Sequence, residues 1–599
     1  MVANGRKAYL NFRFGGKNTV KKLHQALSFF LCVVFCVFCF ASCGKKTDAD
    51  DTTAFPATEP DATAPAASES ETAEGTTVET TADKWEALAP SVQVIVEKDR
   101  KLKIECSNHT TAEKTSKNDI YLKGPDEVVD GVTPVIQVMV YERNRSAHEL
   151  FGTSAEYIFW DDGIDTLGNR IDVAVKGNAS DAPDLFVNME YVLSRELLNS
   201  SFKDIWSIPN SFFDFSTEGW LKEWMENLSL TGDRAYILGG DYILDVYRAV
   251  SVLPLNMTLM DRNAVKLAPV LLSEGEELGA NEELTPYFFD LVEEGKWTWD
   301  VLGKLSEAIW VDNDGDNTDS IHDQLGLIAD EFGEGGQCAC SFIYTCGEEL
   351  TEVYTIEDES SAYNGKQWVK YADTSDGLNR IFDTVKAVME GPGTLSTNYT
   401  HAGNSPEEPG IAYHQTKFAA GELLFAGAQL LGALEEDVFQ QMTDLYSVVP
   451  FPKIDESKSY NSIVCSTGDV GAINVNVNPR KAKALTAYVQ YCTEKSPAIR
   501  EQFLQIVTKY KTTVYNQGTD RMLELIYQSI RYGRDKTVDD LAGSSGNRWH
   551  GYMRKQHFLA GSDFISTQYD SVLSAKQTRL NKTIMEKWYT LPKVEAKAD

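Results

Sequence analysis

The chain has 599 residues, and 56 basic against 89 acidic side chains give it a formal net charge of -33 at pH 7. So negative a surface repels phosphate backbones, which argues against nucleic acid as a partner. Six cysteines follow residue 43, but no histidine stands at zinc-ligand spacing from them. Core thiols or one disulfide are therefore favoured over a metal site.

The first 42 residues have the layout of a secretory signal peptide. Basic residues without any acid precede an apolar run from Ala26 to Ala41, which is short for a helix that spans a membrane. Small residues then precede Cys43, which resembles a bacterial lipobox and predicts lipidation at Cys43. The alternative is a signal-anchor helix with a chance cysteine.

Residues 43–90 are predicted to form a disordered tether. Thr, Ala, Glu, Asp, Ser and Pro dominate there, so the segment cannot bury enough apolar surface to offset chain entropy. A lipid, a linker and a folded body suit a receptor held at the extracellular face of the membrane. An adhesin or a surface enzyme has the same layout.

Strands and helices alternate in the next region, which predicts a parallel sheet with right-handed crossovers. Val92 to Cys106 is expected to be extended. The predicted elements that follow are strand Ile120–Leu122, a helix from Pro134 to Leu150, strand Tyr157–Phe159, helix Ile164–Val175, strand Asp184–Val187 and strand Tyr236–Leu238.

Side chains that follow these strands are candidates for a ligand site, because open parallel sheets bind ligands outside the carboxyl ends of their strands. Trp160 and Asp161 follow one strand, and Asp241 and Tyr242 follow another. An aromatic ring can stack on a sugar while a carboxylate accepts hydrogen bonds from its hydroxyls. The alternative for Trp160 is plain packing.

The stretch from Gly295 to Asp330 predicts a capped helix, an acidic turn and a strand. Thr298 is a suitable N-cap, and Trp299, Leu302, Leu305 and Ile309 recur at helical spacing. A strand is expected near residues 325–328.

Oxygen side chains recur in the acidic turn at the spacing of a calcium loop. The candidate ligands are Asp312, Asp314, Asp316 and Asp323. Asn317 stands where a sharp turn wants glycine, and Asp323 replaces a bidentate Glu. The sequence thus predicts no cofactor other than a possible structural calcium ion, with an ordinary Asp/Asn/Gly turn as the alternative.

Further along, a strand is predicted near Phe342–Tyr344 and a helix over Leu378–Met389. Gly421 is the predicted break between a helix and a strand that contains Phe425. Tyr344 and Phe425 are candidate ligand contacts from this part of the chain.

The stretch from Gly295 to Asp330 resembles the extracellular solute-binding proteins of ABC importers, family 1. Gly295–Asp300 matches that family's GKWTWDE-like segment, and Asp312, Gly315 and Asp316 fall in register with its acidic motif. Weaker likenesses are Tyr141–Asn144, Phe418–Glu422 and Val449–Pro452.

The resemblance implies an α/β, two-lobed periplasmic-binding-protein-like fold with an interlobe cleft and crossing hinge strands. It implies a first lobe over 91–252, a second over 253–445, a return to the first over 446–515, and C-terminal helices, mainly of the second lobe, over 516–599. It further implies a monomer that binds a small solute, a sugar above all, and delivers it to ABC permease subunits.

Motifs of nucleophilic, metal or phosphate-transfer enzymes do not occur in the sequence: there is no Gly-x-Ser-x-Gly, His-Glu-x-x-His or P-loop. The expected protein is not an enzyme. Two alternatives stay open, a surface glycan-binding lipoprotein or adhesin without a transporter, and a glycosidase, whose carboxylate pair need not be close in sequence.

Overall fold

The computed structural model describes residues 81–96, 101–110, 115–160, 164–177, 182–280, 282–329, 337–373, 375–396, 413–427, 429–508, 516–530, 533–542, 549 and 564–591. All of these residues belong to one compact unit of the chain. The predicted signal peptide, Cys43 and most of the predicted tether lie outside the described residues. Within those residues, no helix has the length and apolar character that crossing a membrane requires.

In chain order the helices are α1 (Thr81–Val96), α2 (Val135–Phe151), α3 (Ile164–Gly177), α4 (Glu190–Leu197), α5 (Lys222–Leu228), α6 (Asp245–Arg248), α7 (Met257–Arg262), α8 (Ala264–Leu271), α9 (Thr285–Glu293), α10 (Trp299–Ile309), α11 (Gln337–Tyr344), α12 (Ser375–Met389), α13 (Tyr413–Ala419), α14 (Asp437–Gln440), α15 (Pro479–Glu494), α16 (Pro497–Thr508), α17 (Asn516–Gln528), α18 (Arg534–Ala542), α19 (Phe564–Arg579) and α20 (Met585–Thr590). Short π-helical turns cover Asp119–Lys123 and Leu580–Ile584, and a 3-10 helix covers Leu431–Glu435.

The strands are β1 (Lys101–Ser107), β2 (Ser154–Trp160), β3 (Leu185–Met189), β4 (Ser251–Asn256), β5 (Leu325–Ala329), β6 (Thr351–Thr355), β7 (Gln367–Tyr371), β8 (Thr394–Ser396), β9 (Leu423–Phe425), β10 (Gln429–Leu430), β11 (Tyr446–Val449) and β12 (Asp469–Ile473).

The first lobe is built on a sheet in the order β12-β3-β1-β2. β1 runs parallel to both β2 and β3, and β12 runs antiparallel to β3. Helices α2 and α3 stand between the successive parallel strands in the sequence. The predicted parallel sheet and the helices that precede β2 and β3 are therefore confirmed.

The second lobe is built on a sheet in the order β10-β4-β9-β5-β8, with β11 also paired to β4. β5 is parallel to β8 and β9, whereas β4 is antiparallel to β9, β10 and β11. β6 and β7 form a separate antiparallel hairpin.

Helix α10 forms as predicted in this lobe. The Thr298 hydroxyl accepts from the Val301 amide at 3.5 Å, and the apolar face of α10 is buried. The Trp297 indole, one residue before the cap, donates to the Pro450 carbonyl at 2.9 Å. That hydrogen bond joins the Gly295–Asp300 segment to the chain that follows β11.

The chain passes between the lobes before β4 and between β11 and β12. These two passages lie side by side, because the Ser251 amide donates to the Ile463 carbonyl at 3.0 Å and the Cys465 amide donates to the Ala249 carbonyl at 2.7 Å. Two α/β lobes joined by paired crossing segments confirm the predicted fold class.

Two predicted boundaries differ from the structure. Residues 81–96 form helix α1, although 43–90 was expected to be a tether and 92–106 an extended leader. Trp85, Ala89, Val92 and Val96 are buried along one side of α1, a spacing that fits a helix rather than a strand. At the other boundary β11 still belongs to the second sheet, so the return to the first lobe begins after Val449 rather than at residue 446.

Three predicted strands are absent at their positions. Ile120–Leu122 is a π-helical turn, and Tyr236–Leu238 makes only an isolated bridge, between Leu238 and Gly471. Phe342–Tyr344 lies in helix α11. Short apolar runs do not distinguish a buried strand from a buried helix, so tertiary contacts decide the conformation.

Candidate functional site

The carboxyl ends of the parallel strands in the first lobe meet at one edge, which we call the first rim. Ser107 is paired in register with Trp160, and Asp469 is paired with Met189 across β12 and β3. Because β12 is antiparallel, its first residue lies beside the last residues of its neighbours. The first rim therefore brings together a hydroxyl, an indole and a carboxylate from distant parts of the chain.

The Asp469 carboxylate, which is completely buried, organises the polar side chains of the first rim. It accepts from the Ser107 hydroxyl at 2.8 Å, from the Asn118 amide at 2.6 Å and from the Ser116 hydroxyl. The Ser107 hydroxyl has one proton and gives it to Asp469, so His109, 2.9 Å away, donates to Ser107 from Nδ1. This chain of hydrogen bonds fixes the loop that follows β1.

A second set of ionic contacts joins the first rim to the second lobe. The Asp469 amide donates to Asp245 at 2.8 Å, and Asp245 in turn accepts from Arg248 at 2.7 Å. Arg248 also donates to Glu435 at 2.7 Å, and Glu435 accepts from Lys117 and from the Tyr121 hydroxyl. Glu435 follows β10 by five residues, so these contacts bridge the two sheets beside the crossing segments.

The titration behaviour of this network follows from burial and charge. Burial disfavours the charged form of Arg248 and by itself would lower its pKa. The Glu435 and Asp245 carboxylates have the larger combined effect, so the pKa of Arg248 is raised above its ordinary value. Burial raises the pKa of Tyr121, and the neighbouring Glu435 adds to the rise. Arg248 therefore stays cationic and Tyr121 stays protonated at neutral pH.

The second lobe has an equivalent edge, which we call the second rim, where β5, β8 and β9 end. The Gln415 amide near the start of α13 donates to Gln429 at 3.0 Å, and His414 contacts the same Gln429. Amide and imidazole groups thus lie at the carboxyl edge of the second sheet. Gln429 lies on β10, and the chain that leaves β10 leads to Glu435, which contacts Lys117 and Tyr121 of the first lobe.

Polar groups that are accessible to solvent border the first rim. Asn108 and Thr110 are exposed, and Ser466 and Thr467 are half-buried on the passage into β12. These side chains can exchange hydrogen bonds with a solute that has several hydroxyl groups. The sequence prediction missed these side chains because the fold brings them together from segments more than 350 residues apart. The one local indication of the site is the turn Ser466–Gly468, which directly precedes the buried strand β12.

The predicted ligand contact Trp160 lies on the first rim, as expected from its place at the end of β2. The ring is buried, with the Arg170 guanidinium 4.1 Å from its centroid and Phe186 at 6.2 Å. Its partner in the prediction, Asp161, lies outside the described residues. Contact of Trp160 with a solute stays a prediction and would require Arg170 to move from the ring.

Asp241 and Tyr242 are completely buried inside the first lobe. Asp241 accepts from Arg500 at 2.9 and 3.2 Å, and burial raises the pKa of Asp241 to about 6 against the lowering effect of Arg500. The Tyr242 hydroxyl lies 3.2 Å from that of Tyr157. Contact of either residue with a solute stays a prediction, and Asp241→Ala would leave the buried Arg500 guanidinium without its carboxylate partner.

Tyr344 and Phe425 are also buried. The Tyr344 hydroxyl donates to Asp539 at 2.9 Å, and Phe425 packs against Trp297 and Phe288 at ring distances of 5.5 and 6.0 Å. Phe425 is nevertheless the last residue of β9, so its backbone lies at the second rim while its side chain is buried in the core. Contact of Tyr344 or Phe425 with a solute stays a prediction.

The acidic turn brings three of the four predicted calcium ligands together. Carboxylate oxygens of Asp312, Asp314 and Asp323 lie within 4.8 Å of one another. Asp316 instead accepts from the Thr318 amide and hydroxyl at 2.8 and 2.7 Å. Asn317 adopts φ of 58°, the left-handed conformation that the turn requires at this position.

We propose that this turn binds calcium, since carboxylate oxygens at this separation fit the ion's ligand distances. Calcium should then raise the melting temperature of the chain, and Asp314→Asn should abolish the rise by removing one charge while leaving an acceptor for Ser320. Asp358→Asn is the control, because Asp358 also closes an exposed turn with a serine. If calcium changes the melting temperature of the wild type, Asp314→Asn and Asp358→Asn equally, the acidic turn does not bind the ion and is an ordinary turn.

Comparisons with known proteins give likenesses of fold only. No protein-family model matches the chain, and neither does any curated protein sequence. Three similar solved structures are the GacH receptor of Streptomyces glaucescens, studied with acarbose; MalE from Bdellovibrio bacteriovorus, bound to maltotriose; and the lacto-N-biose-binding protein of an ABC transporter from Bifidobacterium longum.

Their identities to this chain are 10%, 12% and 11%, with TM-scores of 0.43, 0.41 and 0.44. The alignments cover 80%, 81% and 82% of this chain and 98%, 100% and 98% of the other chains. Likenesses at this level carry no conclusion about the solute of this chain, and the function is argued below from its own residues.

Proposed function

We propose that the chain is a lipid-anchored extracellular receptor that binds a small solute between its lobes and delivers it to an ABC importer. The observation that supports this most directly is that Glu435, which follows β10 in the second lobe, contacts Lys117 and Tyr121, which follow β1 in the first lobe. Ligands of open α/β sheets bind outside the carboxyl ends of the strands, and each lobe has such an edge. Binding is the whole reaction, and transport follows from presenting the bound solute.

A carbohydrate is the proposed solute class. Neutral hydrogen-bonding side chains lie around the rims: Asn108, Ser466, Thr467 and Gln415. Such groups can bind the hydroxyls of a sugar, which carry no charge that the protein would have to neutralise. The sequence resemblance of Gly295–Asp300 to sugar-binding receptors favours the same class. A solute that contacts both lobes would favour their closed arrangement by its differential affinity.

A melting-temperature screen of the secreted chain against neutral mono- and oligosaccharides tests this function. A specific sugar at a hundred times its Kd should stabilise the folded state by about 2.7 kcal/mol, since it binds only the folded chain. Amino acids and polyamines at the same concentrations are the controls. Stabilisation by those solutes alone would contradict the carbohydrate class, and hydrolysis of a sugar in the same mixture would favour a glycosidase.

The rims can be tested once a sugar is found. Asn108→Ala and Thr467→Ala should each weaken binding by about tenfold, which corresponds to the loss of one hydrogen bond worth about 1.4 kcal/mol. Asn199→Ala is the matched control, because Asn199, like Asn108, is exposed in the first lobe but follows the far end of α4. Calorimetry that gives all three variants the wild-type Kd would place the solute elsewhere.

Lipid anchoring is proposed from the sequence of the first 43 residues alone. Cys43→Ser should remove acyl labelling and move the chain from the membrane fraction to the medium. Retention in the membrane fraction with unchanged labelling would instead favour a signal-anchor helix, and the receptor would then be tethered by protein rather than by lipid.

A further inference from the structure

The last part of the chain contacts both lobes, although it was expected to belong mainly to the second. We define the C-terminal bridge as α18 together with residues 580–590, the second π-helical turn and α20. The first-lobe residues that it contacts lie on α4, on α5 and in the loop 229–236. Its second-lobe contacts lie on α11, on the residues before β6 and on the β6–β7 hairpin.

Helix α18 attaches to the first lobe through polar contacts. Lys536 lies 3.6 Å from Glu190, and both side chains are buried. Glu190 begins α4 directly after β3, so this ion pair is adjacent to the first rim. A second contact is made by Arg534, which donates to Asn227 on α5 at 3.2 Å.

The opposite contacts of α18 are to the second lobe. The Asp535 carboxylate accepts from the Leu350 amide at 2.5 Å and from the Thr351 hydroxyl. One turn later, Asp539 accepts from the Tyr344 hydroxyl at 2.9 Å. Neighbouring residues of one short helix, Asp535 and Lys536, therefore bind different lobes.

The end of the chain repeats this arrangement with aromatic residues. The Trp588 indole donates to the Thr231 hydroxyl at 3.0 Å and its ring packs edge-on against Tyr236 at 5.7 Å, both in the first lobe. Tyr589 stacks on Tyr363 at 4.8 Å beside the hairpin of the second lobe. Adjacent residues again bind different lobes.

We propose that the C-terminal bridge is a conformational restraint that holds the two lobes in the arrangement of this structure. A rotation of one lobe about the crossing segments would have to break either the first-lobe or the second-lobe contacts of two separate helices. Because those contacts include a buried ion pair and a buried carboxylate, the lobes separate only when the bridge detaches on one side. The distance between the lobes is thereby coupled to the contacts that α18 and α20 make.

The distance between two exposed positions reports the restraint. Val173 on α3 and Val265 on α8 are exposed residues of the first and second lobes, so cysteines placed there can carry nitroxide labels. Native Cys106, Cys346 and Cys492 are buried, and burial raises the pKa of each thiol, which slows labelling there. The chain without the two introduced cysteines measures any remaining background.

Asp535→Asn combined with Lys536→Gln weakens both sides of α18. Asp261→Asn is the matched control, because Asp261, like Asp535, accepts from backbone amide and threonine hydroxyl groups, here those of Leu284 and Thr285, but entirely within the second lobe. Thr231→Ala, which removes the acceptor of Trp588, serves as an independent milder variant if the double variant fails to fold.

Pulsed electron resonance on the solute-free chain should give one distance for the wild type and for Asp261→Asn. The bridge variant should add a population shifted by more than about 2 Å, the scale of a domain rearrangement. A distance distribution that is the same in the bridge variant, the control and the wild type would overturn the proposal. This result is independent of the solute, so it stands or fails separately from the proposed receptor function.

Discussion

Replacement of Asp241 by alanine should lower the free energy of unfolding by about 3–5 kcal/mol, as expected when one partner of a buried ion pair is removed. Asp241 is completely buried and accepts both of its short ionic hydrogen bonds from Arg500. The alanine variant leaves that guanidinium without its carboxylate in a site that is largely closed to water. Urea denaturation, followed through the transition midpoint, measures the loss.

Glu218→Ala is the matched control for this substitution. Glu218 contacts the same arginine at 3.4 Å, but its side chain is 70% exposed, so the pair is screened by solvent and should contribute less than about 1 kcal/mol. A midpoint shift in Asp241→Ala no larger than that in Glu218→Ala would show that Arg500 finds other compensation.

The same pair explains why a buried carboxylate need not be a binding residue. Burial raises the pKa of Asp241 to about 6 in spite of Arg500, so burial outweighs the neighbouring charge in setting the pKa of this carboxyl group. Such a pair fixes one arrangement of the packed elements, here α16 against the segment after residue 238. In the sequence, however, Asp241 follows the apolar run Tyr236–Leu238, and this pattern is the same as that of a ligand-binding residue at the end of a strand.

Local signals in the sequence predicted the parts of the fold that local chemistry determines. The apolar spacing of α10, its Thr298 cap and the alternation around β2 and β3 all reflect contacts within one element or between neighbours. Helix α11 was missed because residues 342–344 form a short apolar run, which has no distinguishing period. Its conformation is set by Trp299 and by Asp539, which lies 195 residues beyond Tyr344.

The candidate site was predictable only in outline. The rule that ligands bind outside strand ends placed Trp160 on the first rim, but the group that organises the rim, Asp469, is separated from Asn118 by 351 residues. A single sequence carries no signal for such a pairing. The interlobe position of Glu435 is likewise a consequence of how β10 pairs with β4, which no local pattern specifies.

The second large effect is expected from pH, at His414 on the second rim. His414 is buried, its Nδ1 has no hydrogen-bond partner among the described residues, and burial lowers its pKa to about 4. In the unfolded chain its pKa returns to about 6.5. Above pH 6.5 the side chain is neutral in both states, so its full contribution to stability is present there.

As the pH falls below 6.5 the unfolded state takes up a proton that the folded state does not accept until about pH 4. His414 should therefore cost the wild type about 2.5 kcal/mol of stability between pH 7.5 and 4.5, at 1.36 kcal/mol per pKa unit. His414→Gln keeps a neutral polar side chain beside Gln429 and removes this titration. Urea midpoints at the two pH values should then fall less in the variant than in the wild type. Equal losses in both proteins would mean that the folded chain accepts the proton at His414 without cost, and that this imidazole is accessible to water at the second rim.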